Sequence, residues 1–86
     1  MLYMVIEKFT QGPAPVYERA AVRGRMLPPG LVYSWIDERS LSRCFRLMET
    51  EDPALIDEWI ANWIDLAEFE IIPVIGSGEA AARAIQ

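Results

Sequence analysis

The sequence of 86 residues contains no histidine and only one cysteine, Cys44. Without imidazole, the chain lacks the usual base of Ser-His-Asp and Cys-His nucleophiles, and it cannot ligate zinc, iron or haem through histidine. A single thiol permits neither an internal disulfide nor a cysteine-cluster metal site, and it suits a reducing compartment. The composition therefore predicts a protein without a metal or other cofactor.

Basic residues are also scarce, because eight Lys and Arg stand against thirteen Asp and Glu, for a net charge of −5. An acidic chain of this kind is a poor partner for nucleic acid. The apolar stretch 1–9 has no basic segment before it, carries Glu7 and Lys8, and is too short to span a membrane. We therefore predict a cytoplasmic protein that binds neither nucleic acid nor membranes.

Apolar residues make up 52% of the chain, with three each of Trp, Tyr and Phe. The length allows one domain, residues 1–86, and a domain so small is marginal unless it packs efficiently or associates. The apolar excess favours a second buried surface, most simply a homodimer. A well-packed monomer is the alternative.

The order of the predicted elements is β-α-β-β-α-β, followed by a short helix. Strands are predicted at 2–9, 31–36, 43–49 and 69–75, and helices at 16–27 and 53–67. This order is typical of an α+β, ferredoxin-like domain, with a four-stranded antiparallel sheet and two helices on one face. Right-handed crossovers put the first and third strands in the centre, so Pro73, which cannot donate to a ladder, falls on an edge strand.

The first predicted helix carries Gly24 inside its apolar arc, which favours close packing against the sheet. Arg19 and Arg23 lie beside each other on its flank. They could receive an anion, but solvation or pairing with the acidic second half of the chain is favoured.

The second predicted helix has Asp52 as its N-cap and Pro53 at its first position. Trp59 and Trp63 lie in its apolar arc, which favours core packing over stacking on a ligand. The acidic run 49–52 lacks the spacing of a calcium loop, and capping explains it better than a metal does.

The closing stretch contains Gly76, Gly78 and Ala81 in the spacing of a dinucleotide-binding turn. Too few residues follow for the second strand and acidic residue that such a site needs. Ser77 is instead predicted to cap a short helix. The tail 79–86 is expected to pack on its own domain or to reach across to a partner.

Two helices on one face leave the other face of the sheet open, and strand alternation predicts which side chains it carries. Met4, Ile6, Phe45 and Leu47 are predicted to face the helices. The residues predicted on the open face are Tyr3, Val5, Glu7, Cys44, Arg46 and Met48, with Tyr33, Trp35, Glu70, Ile72 and Val74 from the outer strands.

Such a face is too apolar to remain in water as one patch, which indicates a partner sheet. Glu7 and Arg46 are costly to bury unless they pair. They could form an ion pair within a dimer interface. Alternatively, they could line a cavity between two sheets, with Tyr3, Tyr33 and Trp35 as its aromatic walls.

Five stretches resemble a known family across nearly the whole chain. They are MLYMVIEKF, GRMLPPGL, SWIDE, RCFRLMETEDPALIDEW and FEIIPV. The family consists of small, mostly bacterial proteins known only as a domain of unknown function. The resemblance implies a ferredoxin-like fold of the dimeric α/β-barrel kind, and it implies no activity, substrate or catalytic residue.

The sequence leaves two main hypotheses of function. In the first, a homodimeric structural or binding module holds a small apolar ligand, with Trp35, Cys44 and Met48 as candidate contacts. In the second, a cofactor-independent enzyme of the monooxygenase or isomerase type uses the same cavity. Its catalytic candidates are Glu7 as acid or base, Arg46 orienting an oxyanion, and Tyr3 or Tyr33 as proton donor. An adaptor for other proteins is a third possibility.

Overall fold

The computed structural model describes residues 1–85. Its elements are β1 (Leu2–Phe9), α1 (Pro13–Arg23), β2 (Leu31–Ile36), β3 (Arg43–Glu49), α2 (Ala54–Ala61), β4 (Ala67–Val74) and α3 (Ser77–Ala84). The strands form one antiparallel sheet in the order β2-β3-β1-β4. This is the predicted ferredoxin-like arrangement, with Pro73 on the edge strand β4 as expected.

Helix α1 begins and ends earlier than predicted. Pro13 and Pro15 fit its first turn, where backbone N–H groups have no partner within the helix. The helix ends before Gly24, which adopts φ 72° and donates its N–H to the Ala20 carbonyl oxygen at 2.8 Å. The prediction that Gly24 packs closely against the sheet is wrong, since it is exposed and a Cβ placed there would meet nothing within 4 Å.

Helix α2 is shorter than predicted. It begins after Pro53, and the Asp52 carboxylate accepts a hydrogen bond from the Ala54 N–H at 3.1 Å, which satisfies one free donor of the first turn. After Ala61 the chain tightens into turns, in which Trp63 and Leu66 donate to carbonyl oxygens three residues earlier. These turns bring the chain into β4 two residues before the predicted start.

The predicted faces of the two central strands are wrong. Residues opposite each other in a ladder share a face, and Val5 lies opposite Arg46 while Glu7 lies opposite Cys44. All four are buried. The helix-facing side also carries Tyr3 and Met48, and the core cluster joins Val5, Cys44 and Met48 to Val16, Ile56, Trp59 and Trp63 from the helical layer.

The open face therefore carries the residues predicted for the helix side. In the ladders, Met4 lies opposite Leu47 and Ile72, and Ile6 lies opposite Phe45 and Glu70. The predictions for the outer strands hold, because Tyr33 and Trp35 pair with Leu47 and Phe45 on this face. The open face is thus more apolar than predicted.

Helix α3 has no buried residue. On its surface Arg83 donates to Glu79 at 2.8 Å, one turn apart. Ala81 and Ala84 lie on the other side of the helix at 100° per residue, and Ile85 beyond them is 87% exposed. The alternative in which the tail packs on its own domain is therefore wrong for the described residues, while Gln86 lies outside them.

Within residues 1–85, no helix has the length and apolar character needed to cross a membrane.

Candidate functional site: a cavity between the sheet and the helices

Glu7 and Arg46 form a buried ion pair on the two central strands. Arg46 Nε donates to Glu7 Oε2 at 2.5 Å, and the two residues are 8% and 3% exposed. Because Glu7 lies opposite Cys44, the pair runs diagonally across the β1–β3 ladder. The predicted pairing is confirmed, but it lies beneath the helices and not on the open face.

A cavity of about 390 Å³ adjoins this pair, between the sheet and the helical layer. Its floor includes Glu7, Cys44 and Arg46, and its roof includes Val16 and Ala20 from α1. Its volume lies within the range of small-molecule sites in proteins, which are mostly apolar with a few polar groups.

Aromatic side chains form much of the cavity wall. Trp59 and Trp63 come from α2 and the turns after it, and Phe9 and Tyr17 meet edge to face at 6.4 Å between ring centroids. Trp59 Nε1 donates to the Arg25 carbonyl oxygen at 3.0 Å, and the Arg46 guanidinium carbon lies 5.3 Å from the Trp59 ring. This contact adds a cation–π attraction to the buried ion pair.

Arg19 holds α1 against the turns that follow α2. Its guanidinium makes two hydrogen bonds to the Asp65 carboxylate, at 2.8 and 2.7 Å, and one to the Asn62 carbonyl oxygen at 2.9 Å. It also lies 5.5 Å from the Trp63 ring. The hydrogen bond from Arg19 holds the pKa of Asp65 below its usual value. The predicted pairing with the acidic second half of the chain is thus confirmed for Arg19.

Cys44 is buried in the cavity floor beside the ion pair. The pKa of its thiol is raised to about 11, chiefly by burial, and the opposing effect of Arg46 is partly offset by the Glu7 carboxylate. The thiol is therefore protonated at neutral pH, whereas nucleophilic cysteines are thiolates. Cys44 is a packing and lining group in this structure.

Two buried nitrogen atoms among the described residues lack a hydrogen-bond partner. They are Arg46 Nη1 and Trp63 Nε1, and both residues line the cavity. Buried polar groups in native proteins are nearly always paired, so these two donors stand out among the described residues.

The cavity gathers only some of the residues predicted for the site. Glu7, Cys44 and Arg46 line it, whereas Trp35 borders it from the edge strand β2 and belongs to the open face, where it pairs with Phe45. Tyr3 and Met48 share its face of the sheet but do not line it, and Tyr33 lies on the opposite face, 4.8 Å from Trp35 between ring centroids. The structure therefore brings the charged pair together and separates it from both proposed proton donors.

Sequence reasoning missed the helical half of the site. Trp59 and Trp63 do pack in the core as predicted, but they also line the cavity, as do several residues that were not singled out: Phe9, Val16, Tyr17, Ala20, Arg25, Ser34 and Ile36. The available signal was the apolar arc of the helices, which does not distinguish a filled core from a cavity.

The part of the chain that the structure describes contains no cluster of three or more His, Cys, Asp or Glu side chains placed to hold a metal ion.

The fold and the cavity define a ferredoxin-like α+β domain with a partly polar cavity between its two layers. The whole chain, residues 1–86, matches the family described as a domain of unknown function, DUF3303, and it belongs to that family. No curated protein and no solved structure matches the chain.

Proposed function

We propose that this domain is a small-ligand-binding module whose site is the cavity between the sheet and the helices. The observation that carries the proposal is a cavity of about 390 Å³ with aromatic walls and a buried ion pair in its floor. A tightly packed core would leave no such volume, because protein interiors contain few voids larger than a water molecule.

The ion pair supports binding more directly than chemistry. A general acid or base needs a proton partner within reach, and the described cavity lining includes neither Tyr3 nor Tyr33. Glu7 is already engaged by Arg46. A cofactor-independent enzyme in the same cavity is the alternative, and it would need a different proton donor.

The test is an NMR titration of the isotope-labelled protein with cinnamyl alcohol, an uncharged probe with one ring and a short chain. We expect saturable shifts of cavity residues such as Cys44 and Trp59. Ala20→Leu should fill the cavity and abolish these shifts, whereas Ala21→Leu, exposed on the same helix, should leave them unchanged. Shifts that survive Ala20→Leu would overturn the proposal, as would the lack of saturable shifts with both this alcohol and the corresponding carboxylate, cinnamate.

We also propose that a second copy of the chain covers the open face, in the manner of a dimeric α/β barrel. Monomeric domains rarely expose a contiguous apolar patch as large as one whole face of a four-stranded sheet. The face joins side chains of all four strands, and Tyr33 and Trp35 on it are 59% and 49% exposed.

The area of the face also bears on how two copies associate. Four strands about 4.8 Å apart and roughly seven residues long present a face of roughly 20 by 23 Å. A stable interface uses about 800 Å² from each partner. The sheet falls short of that area by itself, so we propose that the apolar side of α3 crosses to the partner and adds to it.

Sedimentation analysis of three proteins tests this assembly. The wild type should be dimeric at micromolar concentration, and Phe45→Arg on the open face should be monomeric. Val22→Arg is the matched control, because Val22 is 85% exposed on α1, away from the open face, and the variant should stay dimeric. A monomeric wild type, or a dimeric Phe45→Arg, would contradict the proposal.

A further inference from the structure

The two unpaired buried atoms in the cavity wall are both hydrogen-bond donors. Arg46 Nη1 and Trp63 Nε1 belong to residues that are 8% and 5% exposed. Neither side chain can turn an acceptor toward the cavity, because guanidinium and indole nitrogens donate only. A ligand that satisfies them must therefore supply acceptor atoms.

We infer, on the basis of the proposed binding function, that the cavity takes a small aromatic carboxylate. Its two oxygens would accept hydrogen bonds from Arg46 and Trp63. A carboxylate suits this pair because hydrogen bonds between a guanidinium and an anionic oxygen are about twice as strong as neutral ones. Both nitrogens are buried, so binding in this way requires each side chain to turn toward the ligand.

The charge of the cavity favours an anion over a cation. Its charged lining residues are Glu7, Arg25 and Arg46. Glu7 offsets Arg46, and the exposed Arg25 guanidinium, which donates to Ser34 Oγ at 3.2 Å, adds one solvent-screened positive charge. One negative charge on the ligand balances this positive charge.

The walls and volume set the size of the ligand body. Phe9, Tyr17, Trp59 and Trp63 present flat apolar surfaces, which suit a planar ring. Since each water in the liquid occupies about 30 Å³, the cavity has room for about 13 water-sized groups. A single ring with a short acidic chain fits this space.

The first experiment compares the affinities of three probes of similar size by NMR titration: cinnamate, cinnamyl alcohol and protonated cinnamylamine. We expect cinnamate to bind about tenfold more tightly than the alcohol, as one charge-assisted hydrogen bond allows, and the amine to bind most weakly. If the alcohol binds and cinnamate binds no better, the acid inference fails while the proposed binding function stands. If none of the probes binds, the proposed function itself fails.

Two variants test the roles of the orphaned donors. Trp63→Phe removes Nε1 and keeps an aromatic ring, so it should weaken cinnamate about tenfold and leave the alcohol nearly unchanged. Trp59→Phe is the control, because Trp59 Nε1 already donates to the Arg25 carbonyl oxygen and its loss should affect both probes alike. An equal loss for both probes in Trp63→Phe would overturn the role of Trp63.

Arg46 needs a paired substitution, since removing it alone would leave Glu7 buried without a partner. Glu7→Leu combined with Arg46→Met keeps the floor apolar and removes both charges. This double variant should still bind the alcohol but lose its preference for cinnamate. If the preference survives, Arg46 does not recognise the carboxylate and the inference is overturned.

Discussion

Arg46 Nε lies 2.5 Å from Glu7 Oε2, and this pair joins the two central strands beneath the helices. Both residues are more than nine-tenths buried, so each charge depends on the other for compensation. Loss of one partner alone would therefore leave an uncompensated buried charge, and the pair defines the polar floor of the cavity.

Breaking this pair should destabilise the protein strongly. We expect Arg46→Met to lower the free energy of unfolding by about 3–5 kcal/mol, because it leaves the Glu7 charge buried and uncompensated. The double variant Glu7→Leu with Arg46→Met should recover most of this loss. Urea denaturation followed by tryptophan fluorescence measures both, and Glu38→Gln in the exposed turn after β2 is the control. A double variant less stable than Arg46→Met would show that the pair is not the source of the effect.

Cys44 should react slowly in the folded protein. Because its pKa is raised to about 11, the folded protein holds almost no thiolate at pH 8. Iodoacetamide should label Cys44 rapidly in guanidinium chloride and very slowly in native buffer. Comparable rates in the two conditions would contradict the buried, protonated thiol.

The raised pKa of Cys44 also predicts that the protein loses stability at alkaline pH. The pKa of the folded thiol, about 11, is higher than the ordinary value of 9.0. The contribution of the protonated thiol to the free energy of unfolding is therefore complete below pH 9 and is lost as the pH rises toward 11. At 1.36 kcal/mol for each pH unit, the loss amounts to about 3 kcal/mol. Cys44→Ala should show a correspondingly flatter dependence of unfolding free energy on pH over this interval. Parallel curves for the two proteins would exclude the thiol as the cause.

The contact between Arg19 and Asp65 predicts that the stability of the fold decreases at acidic pH. The pKa of Asp65 is lower in the folded protein than its usual value of 3.8. The contact therefore stabilises the fold fully above about pH 3.8, and this stabilisation is lost as the pH falls through the pKa of the folded protein. Arg19→Gln should raise the pKa of Asp65, measured by NMR titration of its carboxyl carbon. Arg23→Gln on the same helix should shift it less, because Arg23 is the weaker cause. Equal shifts in the two variants would argue against the paired geometry.

Gly30 should tolerate no side chain. It adopts φ 112°, and a Cβ there would lie 2.1 Å from the Glu49 carbonyl oxygen. We expect Gly30→Ala to lower the unfolding free energy by more than about 1 kcal/mol, because backbone must move to relieve the contact. Gly78→Ala is the matched control, since it lies in α3 with open space around it and should be neutral or slightly stabilising. A stable Gly30→Ala would mean that the turn before β2 adopts another conformation.

Helix α3 offers a test of the proposed assembly. At 100° per residue, Ala81 lies on its apolar side and Ala82 lies beside Glu79 and Arg83. If α3 crosses to a partner, Ala81→Asp should weaken the dimer in sedimentation experiments and Ala82→Asp should not. Equal effects from the two variants would place α3 outside the interface.

The topology could be predicted from the sequence because the order of strands and helices leaves few arrangements, and Pro73 agrees with one of them. The faces of β1 and β3 could not. Both alternating sets are apolar, with Met4 and Ile6 on one side and Val5 on the other, so hydrophobic alternation does not choose between them. Glu7 and Arg46 seemed to favour the open face, since isolated charges avoid burial, but their pairing allows them to lie in the core.

The cavity could not be predicted from the sequence for a related reason. The arc with Trp59 and Trp63 predicts burial, but whether aromatic side chains fill the layer or leave a space depends on how α1 is held. In the structure Arg19 holds α1 in place through its hydrogen bonds to Asp65. These two residues are nearly fifty positions apart in the chain, so no local sequence pattern predicts their contact.

The central claim is that the ligand site lies between the sheet and the helices, and intermolecular nuclear Overhauser effects test it most directly. With cinnamate bound to the labelled protein, we predict contacts from its ring protons to Phe9, Val16 and Trp63, which line the cavity. Contacts to Phe45 and Leu47 on the open face, without contacts to those three residues, would contradict the claim.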